Sequence, residues 1–212
     1  MELNGKKINF LGDSITEGVG TSCQEAMFVN IIAREANLAA ARNYGISATR
    51  IARQNPKNCD VDELDYCARF PEMADDADVV VVFGGTNDYG HGNAPFGCDD
   101  DRTPDTYCGA LHFLMTGLID KYPNSEIVFL TPLHRENEDA PNMHGRPLKD
   151  YVDAMRRTAE KYSLPVLDLY SSGGICPTLE SHRNALCPDG LHPNDAGNRK
   201  LAQRIMSFLK TL

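Results

Sequence analysis

The clearest indication of the fold class is the apolar run Asp78-Val79-Val80-Val81-Val82-Phe83. An uninterrupted apolar run leaves the strand without a polar face, which is typical of a strand buried on both sides in a parallel sheet. Parallel strands need crossover helices between them, and short apolar runs do alternate with helical segments along this chain. The pattern predicts an α/β fold.

On both sides of this run, apolar runs and apolar residues at helical spacing predict five strands in all and four longer helices. The predicted strands cover residues 8–11, 38–43, 78–83, 126–130 and 165–169. The predicted helices cover residues 22–36, 106–121, 148–162 and 193–209, with Pro193 in the first turn of the last one. Two loops, 89–104 and 133–147, follow strand ends, where open parallel sheets bind ligands. No linker or repeat divides the chain, so we expect one domain over residues 1–212.

The composition is that of an ordinary globular protein. The chain has 212 residues, of which 42% are hydrophobic and 24% are charged, and these values exclude collagen-like, coiled-coil and wholly disordered chains. Lys and Arg total 21 against 30 Asp and Glu, which gives a net charge of −9. Because this charge repels phosphate backbones and anionic lipid, we expect no nucleic-acid partner and no membrane partner.

The sequence also carries signals about the compartment. The N-terminus shows no secretory leader, and no stretch approaches the roughly 20 apolar residues that a membrane-spanning helix needs. The seven cysteines form an odd set without a C-x-x-C pair, which favours reduced thiols over a disulfide framework or a zinc site. These features predict a cytoplasmic protein.

A serine stands at the end of the first predicted strand, in Gly12-Asp13-Ser14. A serine hydroxyl is a weak nucleophile and needs a neighbouring base, normally a histidine that a carboxylate orients. Asp189 and His192 lie three positions apart in a turn before the last helix, so they can meet locally. The sequence therefore predicts Ser14 as nucleophile, His192 as base and Asp189 as its orienting partner.

Attack of a serine on a carbonyl carbon also needs hydrogen-bond donors for the negative charge that develops on the carbonyl oxygen. Such a set of donors is called an oxyanion hole. Two further strand ends offer such donors. Gly45 follows the second predicted strand, and a glycine lets a substrate approach the backbone N–H closely. Asn87 follows the third predicted strand, behind Gly84 and Gly85, and offers a side-chain amide.

These pieces together resemble the SGNH hydrolases, also called the GDSL esterase/lipase family. The resemblance runs from Gly12 to Pro193 and rests on four motifs in order, G-D-S, a glycine after the second strand, G-x-N-D and D-x-x-H-P. It implies a flavodoxin-like three-layer α/β/α sandwich and an oxyanion hole formed by the Ser14 and Gly45 N–H groups and the Asn87 side chain. The second motif, N-x-G-I-S, lacks the further glycine that some members carry.

Other polar residues near these motifs are candidates for support or substrate contact. Asp13 and Asp88 are predicted to hydrogen-bond the backbone around the site, and His91 and His134 are candidates for contact with the substrate. The histidines show no ligand-like spacing, so no metal site and no cofactor are expected.

The predicted function is hydrolysis of a carboxylic ester through an acyl-enzyme intermediate. The substrate is expected to be a small polar molecule or carbohydrate with a short acyl group, acetyl above all. A thioesterase and a lysophospholipase or lipase are alternatives on the same three residues. A non-enzymatic alternative is a flavodoxin-like module whose 12–16 turn cradles a nucleotide phosphate, and it gives Asp189 and His192 no role.

Overall fold

The computed structural model describes residues 1–54 and 65–212, and within them a five-stranded parallel sheet forms the centre of the fold. The strands are β1 (Lys7–Gly12), β2 (Ala40–Gly45), β3 (Val79–Phe83), β4 (Glu126–Leu130) and β5 (Val166–Leu167). Their order across the sheet is β2-β1-β3-β4-β5, and every neighbouring pair is parallel. This is the strand order of flavodoxin-like folds, and it confirms the predicted fold class.

Helices connect the strands and cover both faces of the sheet. The helices within the described residues are α1 (Ser14–Glu17), α2 (Phe28–Glu35), α3 (Tyr66–Arg69), α4 (Thr86–His91), α5 (Tyr107–Lys121), α6 (Leu148–Lys161), α7 (Leu169–Ser172), α8 (Glu180–Leu186) and α9 (Asp195–Leu209). Short 3₁₀ turns cover Gln24–Ala26 and Phe70–Glu72.

The continuous apolar run of β3 explains the three layers. Val79, Val81 and Phe83 pack in one cluster with α2 and α9. Val80 and Val82 point the other way, into a second cluster with α5 and α6. Because successive strand side chains alternate between faces, a strand between two helical layers must be apolar throughout.

The first long helix starts later than predicted. Gln24–Ala26 form a 3₁₀ turn, Met27 is extended with ψ of 137°, and α2 begins only at Phe28. The reason is tertiary, because the Oδ1 atom of Asn198 on α9 accepts the Phe28 N–H at 3.0 Å and so satisfies a helix-end donor.

The last helix also begins later, and the prediction that Pro193 lies in its first turn is wrong. Asn194 is the N-cap, since its side chain accepts the Gly197 N–H at 3.1 Å, and Pro193 precedes the cap. The strand predicted over 165–169 is shorter, because Asp168 caps α7 through the Ser171 N–H. β2 is displaced by two residues, since it covers Ala40–Gly45 where residues 38–43 were predicted.

No helix in the described part of the chain is long and apolar enough to cross a membrane. The six cysteines in residues 1–54 and 65–212 are all unpaired thiols.

Candidate active site

Three adjacent strands end at the same edge of the sheet and carry most of the predicted site residues. β1 leads into α1, whose first residue is Ser14. β2 ends at Gly45, beside Gly12 of β1, and β3 leads into α4, which contains Asn87. Parallel pairing in the order β2-β1-β3 therefore brings these three segments together.

Ser14 is held by a short, capped helix. The Asp13 side chain accepts the Ile15 N–H at 3.0 Å, and α1 ends at Gly18 in a left-handed conformation with φ of 105°. Ser14 is 7% exposed, so its hydroxyl sits in a defined place at the end of β1.

Ser14, His192 and Asp189 form a hydrogen-bonded chain. The distance from Ser14 Oγ to His192 Nε2 is 2.9 Å, and that from His192 Nδ1 to Asp189 Oδ2 is 2.6 Å. A carboxylate can only accept, so Nδ1 carries the proton and Nε2 is left to accept from the serine hydroxyl.

Asp189 is well placed to stay ionised. Its Oδ1 atom accepts the backbone N–H groups of Leu191 at 2.9 Å and of His192 at 2.7 Å. Desolvation raises the pKa of this carboxyl, but the hydrogen bonds from His192 and Leu191 outweigh it and lower the pKa below its ordinary value. The carboxylate therefore orients both the turn and the imidazole ring.

A buried asparagine that sequence reasoning missed holds this turn in place. Asn198 is 0% exposed, and its Nδ2 donates to the carbonyl oxygen of Pro193 at 2.7 Å while its Oδ1 accepts the Phe28 N–H. The sequence could have indicated this residue, because Asn198 is a polar residue at helical spacing from the apolar positions Leu201 and Ile205 of the last helix. Asn198 thus links α2 and α9 to the segment that carries His192.

The prediction that the Gly45 N–H is an oxyanion-hole donor is wrong. Its N–H donates to Asn43 Oδ1 at 2.8 Å, and Gly45 does not line the site cavity. Two residues further along this segment do line the cavity, Ser47 and Ala48, and Ala48 has a left-handed φ of 64°. No sequence signal pointed to Ala48, because an alanine seldom adopts this conformation.

The turn around Ala48 is fixed from both sides. The Ser47 N–H donates to Glu17 Oε2 at 2.6 Å, and the Thr49 N–H donates to the carbonyl of Ile46 at 3.4 Å. Among the described residues, the Ala48 N–H donates no hydrogen bond. This N–H is therefore available to a ligand in the cavity.

Asn87 and Asp88 tie α4 to the segment that follows Ala48. Asn87 Nδ2 donates to the carbonyl of Thr49 at 3.0 Å. The two carboxylate oxygens of Asp88 accept the N–H groups of Ile51 and Ala52 at 3.0 and 2.9 Å. Asp13 and Asp88 thus both hydrogen-bond backbone next to the site.

Both of these carboxyl groups are buried beneath the site. Burial raises the pKa of Asp13 to about 6, against the hydrogen bond from Ile15 and the nearby His192 and Arg69. Burial likewise raises the pKa of Asp88 to about 6, although its two backbone hydrogen bonds favour the charged form.

An open cavity of about 250 Å³ lies over the hydroxyl of the serine. Its lining consists of Ser14, Val19, Ser47, Ala48, Asn87, His91, Leu191 and His192. His91 thus reaches the cavity, whereas His134 lies outside the lining, with Nδ1 at 2.6 Å from Glu138 Oε1 and its ring 4.1 Å from that of Tyr170. Within the described ranges, no three His, Cys, Asp or Glu residues are grouped so that they could hold a metal ion.

Chemically, the arrangement offers a hydroxyl, a base that can take its proton, and N–H donors beside the same cavity. The neighbouring thiol of Cys187 has no such setting. It is 1% exposed, and burial raises its pKa to about 12, so it packs as an apolar group.

Comparison with known proteins identifies the family. Residues 10–200 match the GDSL-like Lipase/Acylhydrolase family. This chain belongs to that family. It is accordingly a hydrolase of ester bonds with an SGNH-type α/β fold, as the sequence predicted. No curated protein matches the chain.

Solved structures agree with the fold over the whole chain. A protein from Lactobacillus plantarum is 30% identical, with a TM-score of 0.85 over 98% of each chain. A lipase/acylhydrolase from Enterococcus faecalis is 22% identical, with a TM-score of 0.66 over 97% of this chain and 96% of its own. An acetyl xylan esterase is also 22% identical, with a TM-score of 0.66 over 96% of this chain and 99% of its own.

Proposed function

We propose that this GDSL-family hydrolase is a serine esterase that removes a short acyl group, acetyl above all, from a small polar molecule or carbohydrate. The observation that carries the proposal is the hydrogen-bonded chain from Ser14 Oγ through His192 to Asp189, with distances of 2.9 and 2.6 Å. It provides a nucleophile, a base and an orienting carboxylate in the roles of a catalytic triad.

In the first half of the reaction, Ser14 Oγ attacks the ester carbonyl carbon while His192 Nε2 takes the hydroxyl proton. The tetrahedral intermediate then collapses, the bond to the alcohol oxygen breaks, and the imidazolium gives its proton to the leaving alcohol. In the second half, His192 takes a proton from water while the water oxygen attacks the acyl carbon. The bond from that carbon to Ser14 Oγ then breaks, the imidazolium returns its proton to Oγ, and the acid is released. Asp189 stabilises the imidazolium in both halves.

Three donors are proposed for the oxyanion. Ser14 N–H lies at the first position of α1, Ala48 N–H has no protein acceptor among the described residues, and Asn87 offers its side-chain amide. The donor from the β2 side is therefore Ala48 rather than Gly45. Donors placed before the reaction stabilise the charge without reorganising.

The preference for a short acyl group rests on the cavity. It holds about 250 Å³, and Val19 and Leu191 are the large apolar side chains in its lining. Drug-sized ligands fill cavities of roughly 300 to 1,000 Å³, so a long acyl chain finds little apolar surface here. The acetyl xylan esterase among the structural neighbours points in the same direction.

The test is hydrolysis of p-nitrophenyl esters from acetate to long-chain acids by the wild-type protein and by Ser14→Ala. Ser22→Ala, which changes an exposed serine bonded to Asp195, is the matched control. We expect the highest kcat/KM on acetate or propionate, its loss in Ser14→Ala and its retention in Ser22→Ala.

Other results of these assays would favour one of the alternative functions or contradict the mechanism. A maximum on long-chain esters favours the lipase alternative, and faster cleavage of acyl thioesters than of oxygen esters favours the thioesterase. Equal rates in wild type and Ser14→Ala would contradict the serine mechanism. Absorbance beyond the protein band in the purified protein would favour the nucleotide- or flavin-binding alternative.

A further inference from the structure

His91 lies in the cavity, yet its ring is committed to protein partners on both sides. Its Nδ1 is 2.5 Å from Arg50 Nη2, and its Nε2 is 3.1 Å from Asn87 Oδ1. Arg50 Nη2 also donates to the backbone carbonyl of His91 at 3.2 Å.

The chemistry of these partners determines where the proton sits. A guanidinium has no acceptor, so the contact with Arg50 requires Nδ1 to be the unprotonated, accepting nitrogen. The neutral ring then carries its proton on Nε2 and donates it to Asn87 Oδ1. Burial, with Arg50 and Arg135 nearby, lowers the pKa of His91 to about 4, so the ring is neutral at physiological pH.

This donation settles the orientation of the Asn87 amide. If the amide turned over, its NH₂ group would face the His91 N–H, and its oxygen would face the carbonyl of Thr49. In the observed orientation, one N–H of Nδ2 bonds the carbonyl of Thr49, and the second is left for a ligand in the cavity.

These hydrogen bonds form a cyclic network, because Thr49 and Arg50 are neighbours in the chain. Thr49 accepts from Asn87, Asn87 accepts from His91, and His91 accepts from Arg50. Ala48 directly precedes Thr49 in the chain, so this network connects Ala48 and Asn87, two of the proposed oxyanion donors.

We propose that His91 is a positioning residue of this esterase: it fixes the Asn87 amide with its N–H toward the oxyanion, while Arg50 fixes the His91 tautomer. The proposal rests on the proposed function, since it assigns Asn87 to the oxyanion hole. His91 is then neither a base nor a substrate ligand, and its effect passes through Asn87.

A double-mutant cycle tests this on p-nitrophenyl acetate. Asn87→Ala removes one oxyanion donor and should lower kcat by about 10²- to 10³-fold. We expect His91→Ala to lower kcat by about tenfold or more with KM within twofold, and to have no further effect on kcat in the Asn87→Ala background. His182→Ala, which lies in α8 away from the cavity lining, is the control.

Two conservative variants keep the test informative if His91→Ala does not fold. His91→Gln places an amide N–H near the position of Nε2 and should retain most of the kcat, whereas the shorter amide of His91→Asn should not. Unequal kcat in this order supports the proposal, and equal kcat in both overturns it.

The results that overturn the proposal are distinct from a failure of the proposed function. An unchanged kcat in His91→Ala, a change confined to KM, or an equal further loss in the Asn87→Ala background would each show that His91 does not act through Asn87. Absence of Ser14-dependent hydrolysis in the wild-type protein would instead contradict the esterase itself.

Discussion

At the scale of single residues, the exposure of the proposed triad is uneven. The side chain of Asp189 is 55% exposed, whereas that of His192 is 17% exposed. Water can therefore compete for the hydrogen bond between Asp189 Oδ2 and the imidazole. The carboxylate stays in position mainly because its other oxygen, Oδ1, accepts two backbone N–H groups. We therefore expect Asp189 to contribute orientation more than charge to the proposed mechanism.

This difference predicts unequal losses on substitution. We expect His192→Ala to lower kcat by about five to six orders of magnitude, because Ser14 then has no base. Asp189→Asn keeps an oxygen for the backbone N–H groups, and it should lower kcat by about two to four orders of magnitude. Steady-state kinetics with p-nitrophenyl acetate measures both losses. A His192→Ala variant with full activity would contradict the mechanism.

The buried carboxyl of Asp13 predicts a specific pH dependence of stability. Its pKa rises from 3.8 to about 6 on folding, so the folded state binds this proton more tightly and stability is lost as the pH rises through that window. Asp13→Asn keeps an acceptor for the Ile15 N–H and removes the buried charge. We expect it to raise the free energy of unfolding at pH 8 by about 1 to 3 kcal/mol.

Urea unfolding of Asp13→Asn and wild type at pH 4.5 and pH 8 measures this effect. Titrating groups that do not interact with Asp13, such as His91, are present in both proteins and cancel in the difference. Asp88 and His192 interact electrostatically with Asp13, so the difference also contains their coupling to it. The advantage of the variant should shrink at pH 4.5. An equal difference at both pH values would show that ionisation of Asp13 is not its cause.

At the scale of elements, the site depends on how closely α1 lies against β2. A Cβ atom on Gly45 would come within 2.2 Å of the Glu17 backbone nitrogen and 2.6 Å of the Thr16 carbonyl carbon. Because these are backbone atoms, they cannot move without moving α1. Gly45 is needed for packing, which explains a glycine in this motif although its N–H is bonded to Asn43.

Gly45→Ala should therefore displace the helix that carries Ser14. We expect it to lower the free energy of unfolding by about 1 to 3 kcal/mol and to lower kcat as well. Ala48→Gly is the matched opposite change, since it relieves a left-handed alanine with φ of 64° and keeps the N–H.

Thermal unfolding and kcat of the two variants test this pair. Ala48→Gly should retain kcat and raise the free energy of unfolding by about 0.5 to 1 kcal/mol, less than the strain relieved because glycine also loosens the unfolded chain. Wild-type stability in Gly45→Ala would contradict the close contact between α1 and β2.

The elements themselves were predictable to different degrees. The sequence indicated all five strands. The third and fourth, which are continuous apolar runs, were placed within one residue of Val79–Phe83 and Glu126–Leu130, whereas the signals for the second and fifth were weaker. Short helices such as α1 and α4 were not predicted, because a single turn has too few residues for a periodic pattern. Their ends depend on caps such as Asp13 and on packing against neighbouring strands.

At the scale of the whole molecule, the net charge of −9 acts on the substrate before any contact forms. Two exposed carboxylates lie beside the cavity, since Glu17 bonds Ser47 of its lining and Asp189 bonds His192. The field at the mouth should therefore disfavour anionic esters.

Phenyl acetate and 4-acetoxybenzoate are a matched neutral and anionic pair that tests this field. Raising NaCl from about 10 to 300 mM shortens the screening length from about 30 Å to less than 8 Å. We expect kcat/KM to rise severalfold for the anionic ester and to stay nearly constant for the neutral one. The same small response in both would mean that the net charge does not act at the site.

The fold class could be predicted from the sequence alone, and so could the residues proposed as nucleophile, base and orienting carboxylate. These features are local, because each consists of an apolar run or a short motif at a strand end. Three other features could be seen only in the folded chain: Ala48 lines the cavity in place of Gly45, Asn198 holds the His192 turn, and the Asn87 amide faces His91 with its oxygen. The direction of an N–H group depends on backbone angles and on partners distant in sequence, and no local pattern encodes them.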